Sequence, residues 1–289
     1  MKKFLTSVLA VGMAVSLAAC SATDSSSSSS NAGATGSGVE DGVLTVAMEA
    51  AYAPYNWAQP TDANGAVKMK DSELYANGYD VMTAKKIAEA NNWKLEIKQL
   101  DWDSLIPAVQ SGTVDAVIAG QSMTAEREQE VDFAGPYLYA DIVVLTKKDS
   151  KYASAKGLSD LSGGKVTSQT GTIWYDTLIP QIPNANRQSA AESAPAMLMA
   201  LETGQVDYVV TDMPTAEGAI VAYPDMQIVD LSGGDNFQVS DEDVNIGVSV
   251  RKGNTELKDK IDAYLKTQTK DDFNAQMAEA VKIQPLENN

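Results

Sequence analysis

Residues 110–137 read Gln-Ser-Gly-Thr-Val-Asp-Ala-Val-Ile-Ala-Gly-Gln-Ser-Met-Thr-Ala-Glu-Arg-Glu-Gln-Glu-Val-Asp-Phe-Ala-Gly-Pro-Tyr. A helix stops at Ser111-Gly112, an apolar strand covers 115–119, and the chain leaves that strand through Gly120. The opening of this stretch recurs downstream: Gln110-Ser-Gly-Thr-Val-Asp115 is matched by Glu202-Thr-Gly-Gln-Val-Asp207. In both copies glycine ends a helix and a strand starts within a few residues. Two copies of one plan predict an α/β protein with two doubly wound lobes, rather than one compact doubly wound domain. Ligands of such sheets collect at the carboxyl ends of the strands.

The flanking sequence fits this rhythm. Upstream, Leu44–Met48 and Leu95–Gln99 read as strands around a helix that opens at Gly78 and carries Val81, Ala84 and Ala88 on one face. Asp103 is placed to cap a short helix through Leu105, Ile106 and Val109. Downstream, strands are expected at Ile142–Leu145, Lys165–Gln169, Asp207–Thr211 and Asn245–Val250. Helices are expected to begin near Thr172, at Pro195 and near Pro214. Leu257, Ile261, Tyr264 and Leu265 lie at helical spacing on a closing helix.

Just past Gly120 come Ser122, Thr124 and Arg127. Together they deliver backbone N–H groups, hydroxyls and a guanidinium to one strand end, which suits a small carboxylate held on a planar fork. The plainer alternative is a strand, a turn and a solvated helix face.

Composition narrows the function classes. The chain has 289 residues, 22 Lys plus Arg, 39 Asp plus Glu, and a net charge of −17. So acidic a body repels nucleic-acid phosphates, and no nucleic-acid partner is expected. The absence of histidine removes Ser–His and Cys–His nucleophiles and histidine-ligated metals. Carboxylate and lysine chemistry remain open. No metal and no cofactor is expected.

At the N-terminus, Lys2-Lys3 precede a short apolar run from Phe4 to Ala19, which reads as a secretory signal over 1–19. The run ends Leu17-Ala-Ala-Cys20, resembling a lipoprotein box whose cysteine is acylated. Cys20 is the sole cysteine of the chain, so no internal disulfide can form. The serine- and glycine-rich residues 20–40 are expected to form the lipidated Cys and a flexible tether, reaching on the order of 20–25 Å. That places the body outside the cytoplasm, anchored to the cell membrane.

Five motifs in order carry a resemblance: Ala53-Pro-Tyr55, Gly78-Tyr-Asp-Val81, the Trp102–Tyr137 block, Gln169-Thr-Gly-Thr172, and Val206-Asp207 with Thr211-Asp212. From about Val43 to the C-terminus the chain is similar to the amino-acid-binding family of solute-binding proteins that feed ABC importers, the glutamine-, histidine- and lysine/arginine/ornithine-binding proteins among them. The resemblance implies a bilobal clamp of the periplasmic-binding-protein type. Lobe one is then 41–136 plus 247–289, lobe two 142–240, and the hinges about 137–141 and 241–246. It also implies an amino-acid ligand, an ABC importer permease as partner, and a monomer that is not an enzyme.

Position by position, Arg127 resembles the arginine that grips the ligand α-carboxylate, assisted by Ser122, the Gly120 backbone and Thr172 at a helix N-terminus. Gln169 belongs to the same second-lobe loop. Asp212 resembles the partner of the α-ammonium. Tyr52 and Trp102 resemble aromatic walls, and Glu49 faces the side-chain pocket. Trp102 next to Asp103 also fits a hydrophobic staple. A carboxylate beside aromatic faces favours a cationic ligand, the alternative being a neutral or acidic amino acid such as glutamine or glutamate. A dehydratase-like enzyme or a signalling module on the same fold are the other readings. Residues 56–77 are longer than the hairpin expected there, which brings Trp57 or Gln59 within reach of the pocket. Ile173 stands where a small residue is common.

Overall fold

The computed structural model describes Val39 and residues 41–285. The signal peptide, Cys20 and all of the tether but Val39 lie outside the described residues. Among those described, no helix is long and apolar enough to cross a membrane.

In chain order the strands are β1 (Val43–Met48), β2 (Ala51–Tyr52), β3 (Asn56–Gln59), β4 (Val67–Lys68), β5 (Tyr75–Asn77), β6 (Lys94–Gln99), β7 (Ala116–Val117), β8 (Val131–Tyr139), β9 (Ile142–Lys147), β10 (Lys165–Thr167), β11 (Asn186–Arg187), β12 (Tyr208–Asp212), β13 (Met226–Ile228) and β14 (Asn245–Arg251). The helices are α1 (Tyr79–Ala90), α2 (Leu105–Ser111), α3 (Arg127–Glu130), α4 (Ala194–Glu202), α5 (Met213–Ala222), α6 (Asp241–Val244), α7 (Thr255–Leu265) and α8 (Lys270–Ile283).

Two five-stranded sheets repeat one plan. The first runs β6-β1-β7-β14-β8 and the second β11-β10-β12-β9-β13. In each, three strands pair in parallel and the fourth runs against them. The repeated Gly-x-Val-Asp explains the match at the level of atoms. Gly112 and Gly204 take φ of +76° and +73°, the left-handed conformation that ends a helix without a Cβ penalty. Three residues later the carboxylates of Asp115 and Asp207 accept the backbone N–H of Thr45 and Lys165, each at 2.8 Å. The same aspartates donate their own N–H back to those residues' carbonyls. Each half is thus pinned at the start of its first parallel pair.

The chain passes between the sheets twice, after β8 and before β14, and these two strands pair antiparallel with a register shift between Ile246 and Val248. Apolar faces bury as expected. Met197 and Leu201 of α4, both 0% exposed, pack with Val209 of β12 and Ala216 and Ala219 of α5, each large side chain contributing roughly 2 kcal/mol.

Several local expectations are revised. Asp103 does not cap α2; it lies inside a 3₁₀ turn, Trp102–Ser104, and Ser104 precedes the helix without a side-chain cap. The segment after Thr172 is a single π-type turn, Trp174–Leu178, followed by a 3₁₀ turn, not a regular helix. Residues 51–77 build a four-stranded sheet, β2-β3-β5-β4. There the Trp57 indole donates to Gln59, whose amide donates to the carbonyls of Thr61 and Ala63. A second closing helix, α8, follows α7; its Thr269–Asp272 capping box is the sequence signal that announces it.

Candidate functional site

Most candidate residues lie just past the carboxyl end of a parallel strand, and Arg127 opens α3 further along the chain from β7. Glu49 and Tyr52 follow β1, Trp102 follows β6, Gly120 and Ser122 follow β7, Gln169 and Thr172 follow β10, and Asp212 closes β12. Parallel strands aim these ends at one crevice. Seven of the candidates, Tyr52, Trp102, Gly120, Ser122, Arg127, Gln169 and Thr172, line a single cavity with Ile173 and Trp174. Its volume is about 10 Å³, the room one water molecule needs. The two walls lie against each other, so anything larger than a water molecule enters only when they part. Nothing in the sequence marks Trp174 as a wall, and Ile173 stands out there only for its bulk.

On the first wall, residues 121–123 are fastened to β14: Met123 N–H donates to the Asn245 carbonyl, Gly247 N–H to that of Gln121, and the Ser249 hydroxyl to the Gln121 side chain. The Thr124 hydroxyl accepts the Arg127 N–H at 3.3 Å, fixing the turn from which the guanidinium projects. Arg127 is half-buried, and burial pushes its pKa down to about 10. One Nη donates to the Ser122 carbonyl and the other to the Gly171 carbonyl of the opposite wall, both at 3.0 Å. The guanidinium carbon lies 5.4 Å from the Trp102 ring centroid, a cation–π distance. Two of five guanidinium donors are spent, which leaves three for a ligand.

Gly120 sits at φ +65°. Its N–H is not free as expected: it donates to the Tyr137 hydroxyl at 3.0 Å, and Tyr137 donates to Asp80 at 2.7 Å. What Gly120 supplies is space, because a Cβ there would stand 2.8 Å from Tyr52 and 3.1 Å from Tyr55.

On the second wall, the Thr172 hydroxyl donates to the Gln169 carbonyl at 2.7 Å and accepts from Tyr175 N–H. Gln169 is buried and donates weakly, at 3.5 Å, to Glu49. Burial raises Glu49 to a pKa of about 7, and Asp101 and Asp103 push it the same way. Glu49 lines not this cavity but a larger one of about 510 Å³, which Asp101, Asp103 and Glu192 also line and which Trp102 borders as well.

Asp212 is wholly buried and lines no part of the small cavity. It caps α5 by accepting the Thr215 N–H at 2.9 Å. It also accepts the hydroxyls of Tyr55 at 2.8 Å and Tyr52 at 3.1 Å. Burial raises its pKa, and these hydrogen bonds hold it back. Tyr55 is the residue that the motif Ala53-Pro-Tyr55 offered without a role. Trp57 and Gln59 do not line the Arg127 cavity.

Residues 44–280 match the model of the bacterial extracellular solute-binding proteins, family 3. The chain belongs to that family. A probable histidine-binding protein of Neisseria gonorrhoeae is 31% identical over 257 residues, covering 88% of this chain and 85% of the relative. An arginine-binding extracellular protein of Bacillus subtilis is 28% identical, with 92% of each chain covered. Among solved structures, an amino acid ABC transporter substrate-binding protein from Streptococcus pneumoniae bound to L-arginine aligns with a TM-score of 0.68 and 28% identity, over 84% of this chain and 95% of the other. Family members are extracellular solute-binding proteins, and the two-lobed α/β architecture read from the sequence is theirs.

Proposed function

We propose that the chain captures an amino acid and delivers it to an ABC importer permease. The observation that carries this reading is the pairing around Tyr52. Arg127 lines one cavity with its ring, and the buried carboxylate of Asp212 accepts from its hydroxyl. A zwitterion needs a guanidinium and a carboxylate at that separation of roles, and each buried charge costs several kcal/mol without a partner. Arg127 takes the α-carboxylate with its remaining donors, Ser122 and Thr172 flank it, and Asp212 takes the α-ammonium.

The side chain points to the cavity beyond Glu49. That carboxylate, 7% exposed, stands with Asp101, Asp103 and Glu192 around one volume, which favours a cationic side chain. A second reading rests on the same residue. With a pKa near 7, Glu49 is neutral in mildly acidic medium and then suits a carboxamide such as that of glutamine.

Residues 41–136 with 247–289, and 142–240, act as lobes on hinges about 137–141 and 241–246, and the ligand stabilises the closed form by its differential affinity. Cys20 carries the lipid anchor after removal of 1–19, and the protein works as a monomer on the outer face of the membrane. Calorimetry with L-arginine, L-histidine and L-glutamine tests the assignment: Arg127→Ala should weaken the tightest of them at least roughly 100-fold. Near-wild-type affinity in that variant refutes the carboxylate assignment.

A further inference from the structure

We propose that the Tyr52 hydroxyl is an exchangeable donor that holds Asp212 until a ligand ammonium takes its place, while Tyr55 is a fixed positioning residue that stays on the carboxylate. This rests on the reading of Asp212 as the ammonium partner.

The bonding at Asp212 sets the argument. One carboxylate oxygen accepts the Thr215 N–H, and the other accepts both tyrosine hydroxyls. A carboxylate offers about four lone-pair positions, so the oxygen facing the tyrosines is full. The oxygen bonded to Thr215 N–H is turned to the start of α5, so an ammonium arriving from the Tyr52 side meets the tyrosine-bonded oxygen and displaces one of its donors.

Position decides which. The Tyr52 ring lines the Arg127 cavity, whereas neither Tyr55 nor Asp212 does, so Tyr52 stands between the cavity and the carboxylate. Its bond is the longer of the two, 3.1 Å against 2.8 Å. Its hydroxyl also has a second partner, accepting from the Thr215 hydroxyl at 3.2 Å. Tyr55 is 0% exposed and stacks on Tyr52 at 4.7 Å and 17°. Tyr79 stands perpendicular to it with ring centroids 6.3 Å apart, so the Tyr55 ring is held by aromatic neighbours on more than one side. Both rings close over Gly120, where any side chain would strike them.

A ligand with an ammonium compensates Asp212 for the lost Tyr52 bond; a ligand without one does not. Tyr52 therefore sets how strongly the site prefers amino acids over carboxylates of the same shape. Its hydroxyl also joins β2 of the four-stranded sheet to Asp212 of β12 in the second five-stranded sheet, so the exchange is coupled to parting of the walls.

The test is calorimetry on the wild-type, Tyr52→Phe and Tyr55→Phe proteins. L-arginine, L-histidine and L-glutamine are each compared with the des-amino acid that keeps the carboxylate and side chain. Both substitutions keep the ring and remove one oxygen. Tyr52→Phe should raise the affinity ratio of amino acid to des-amino analogue roughly tenfold, and Tyr55→Phe should lower it roughly tenfold. A packing role alone would move both ligand classes together and leave the ratio unchanged. An unchanged or falling ratio in Tyr52→Phe overturns the proposal while leaving the amino-acid reading intact. Wild-type protein that binds none of the three amino acids overturns that reading and this one with it.

Discussion

Glu49 makes a prediction whose sign runs against the usual behaviour of protein carboxylates. Its side chain is 7% exposed, it holds one long hydrogen bond from Gln169, and burial lifts its pKa from 4.5 to about 7. A carboxyl group raised on folding stabilises the native state below its unfolded pKa. That contribution is lost as pH rises through the folded value. The gap is worth at most about 3–4 kcal/mol, at about 1.4 kcal/mol for each tenfold in the proton equilibrium. Asp80, also raised to about 7 by burial, adds a slope of the same sign. Wild-type stability should therefore fall between about pH 4.5 and pH 7. Glu49→Gln keeps the shape and the hydrogen-bonding capacity toward Gln169 but cannot ionise. Urea unfolding followed by tryptophan fluorescence at pH 5, 6.5 and 8 should show the variant level with wild type at pH 5. At pH 8 it should be more stable by about 1–3 kcal/mol. The same variant should lose affinity for arginine more than for glutamine. If its unfolding free energy tracks wild type at all three pH values, the buried, raised carboxyl is wrong.

Asp212→Asn should weaken amino acids at least tenfold while costing less than about 1 kcal/mol in stability, because asparagine caps a helix as well as aspartate. A variant that binds normally but melts much earlier would make Asp212 purely structural. Gly120→Ala should destabilise by about 2–4 kcal/mol, from the left-handed backbone and the clash with both tyrosine rings. A chemical-denaturation midpoint equal to wild type contradicts this. Trp102→Ala removes the ring under the Arg127 guanidinium and should loosen binding by about fivefold to thirtyfold. An unchanged dissociation constant would leave Trp102 with a structural role alone.

The fold was legible because its signals are short-range and doubled. Gly112-Thr-Val-Asp115 and Gly204-Gln-Val-Asp207 each encode a helix stop, a strand start and a side-chain clasp within four residues. Convergence of Arg127, Ser122, Thr172 and Tyr52 on one cavity was legible only through motif order, since the chain brings them together from loops far apart. What escaped depends on contacts between distant segments. Tyr55 meets Asp212 157 residues away, and no local pattern reports a hydroxyl aimed across a cleft. The Gly120 N–H was spent on Tyr137, a partner fixed by how β8 lies beside β14. Asp103 looked like a cap because a 3₁₀ turn and an N-cap draw on the same residue types.

The most direct test of the account is a calorimetric titration of the wild-type protein with the common amino acids, ornithine and citrulline, after unfolding and refolding to strip carried-over ligand. One-to-one binding is predicted, with arginine, histidine or ornithine tightest and glutamine weaker. A panel in which no amino acid gives saturable heat would contradict the assignment of Arg127 and Asp212 to a zwitterion.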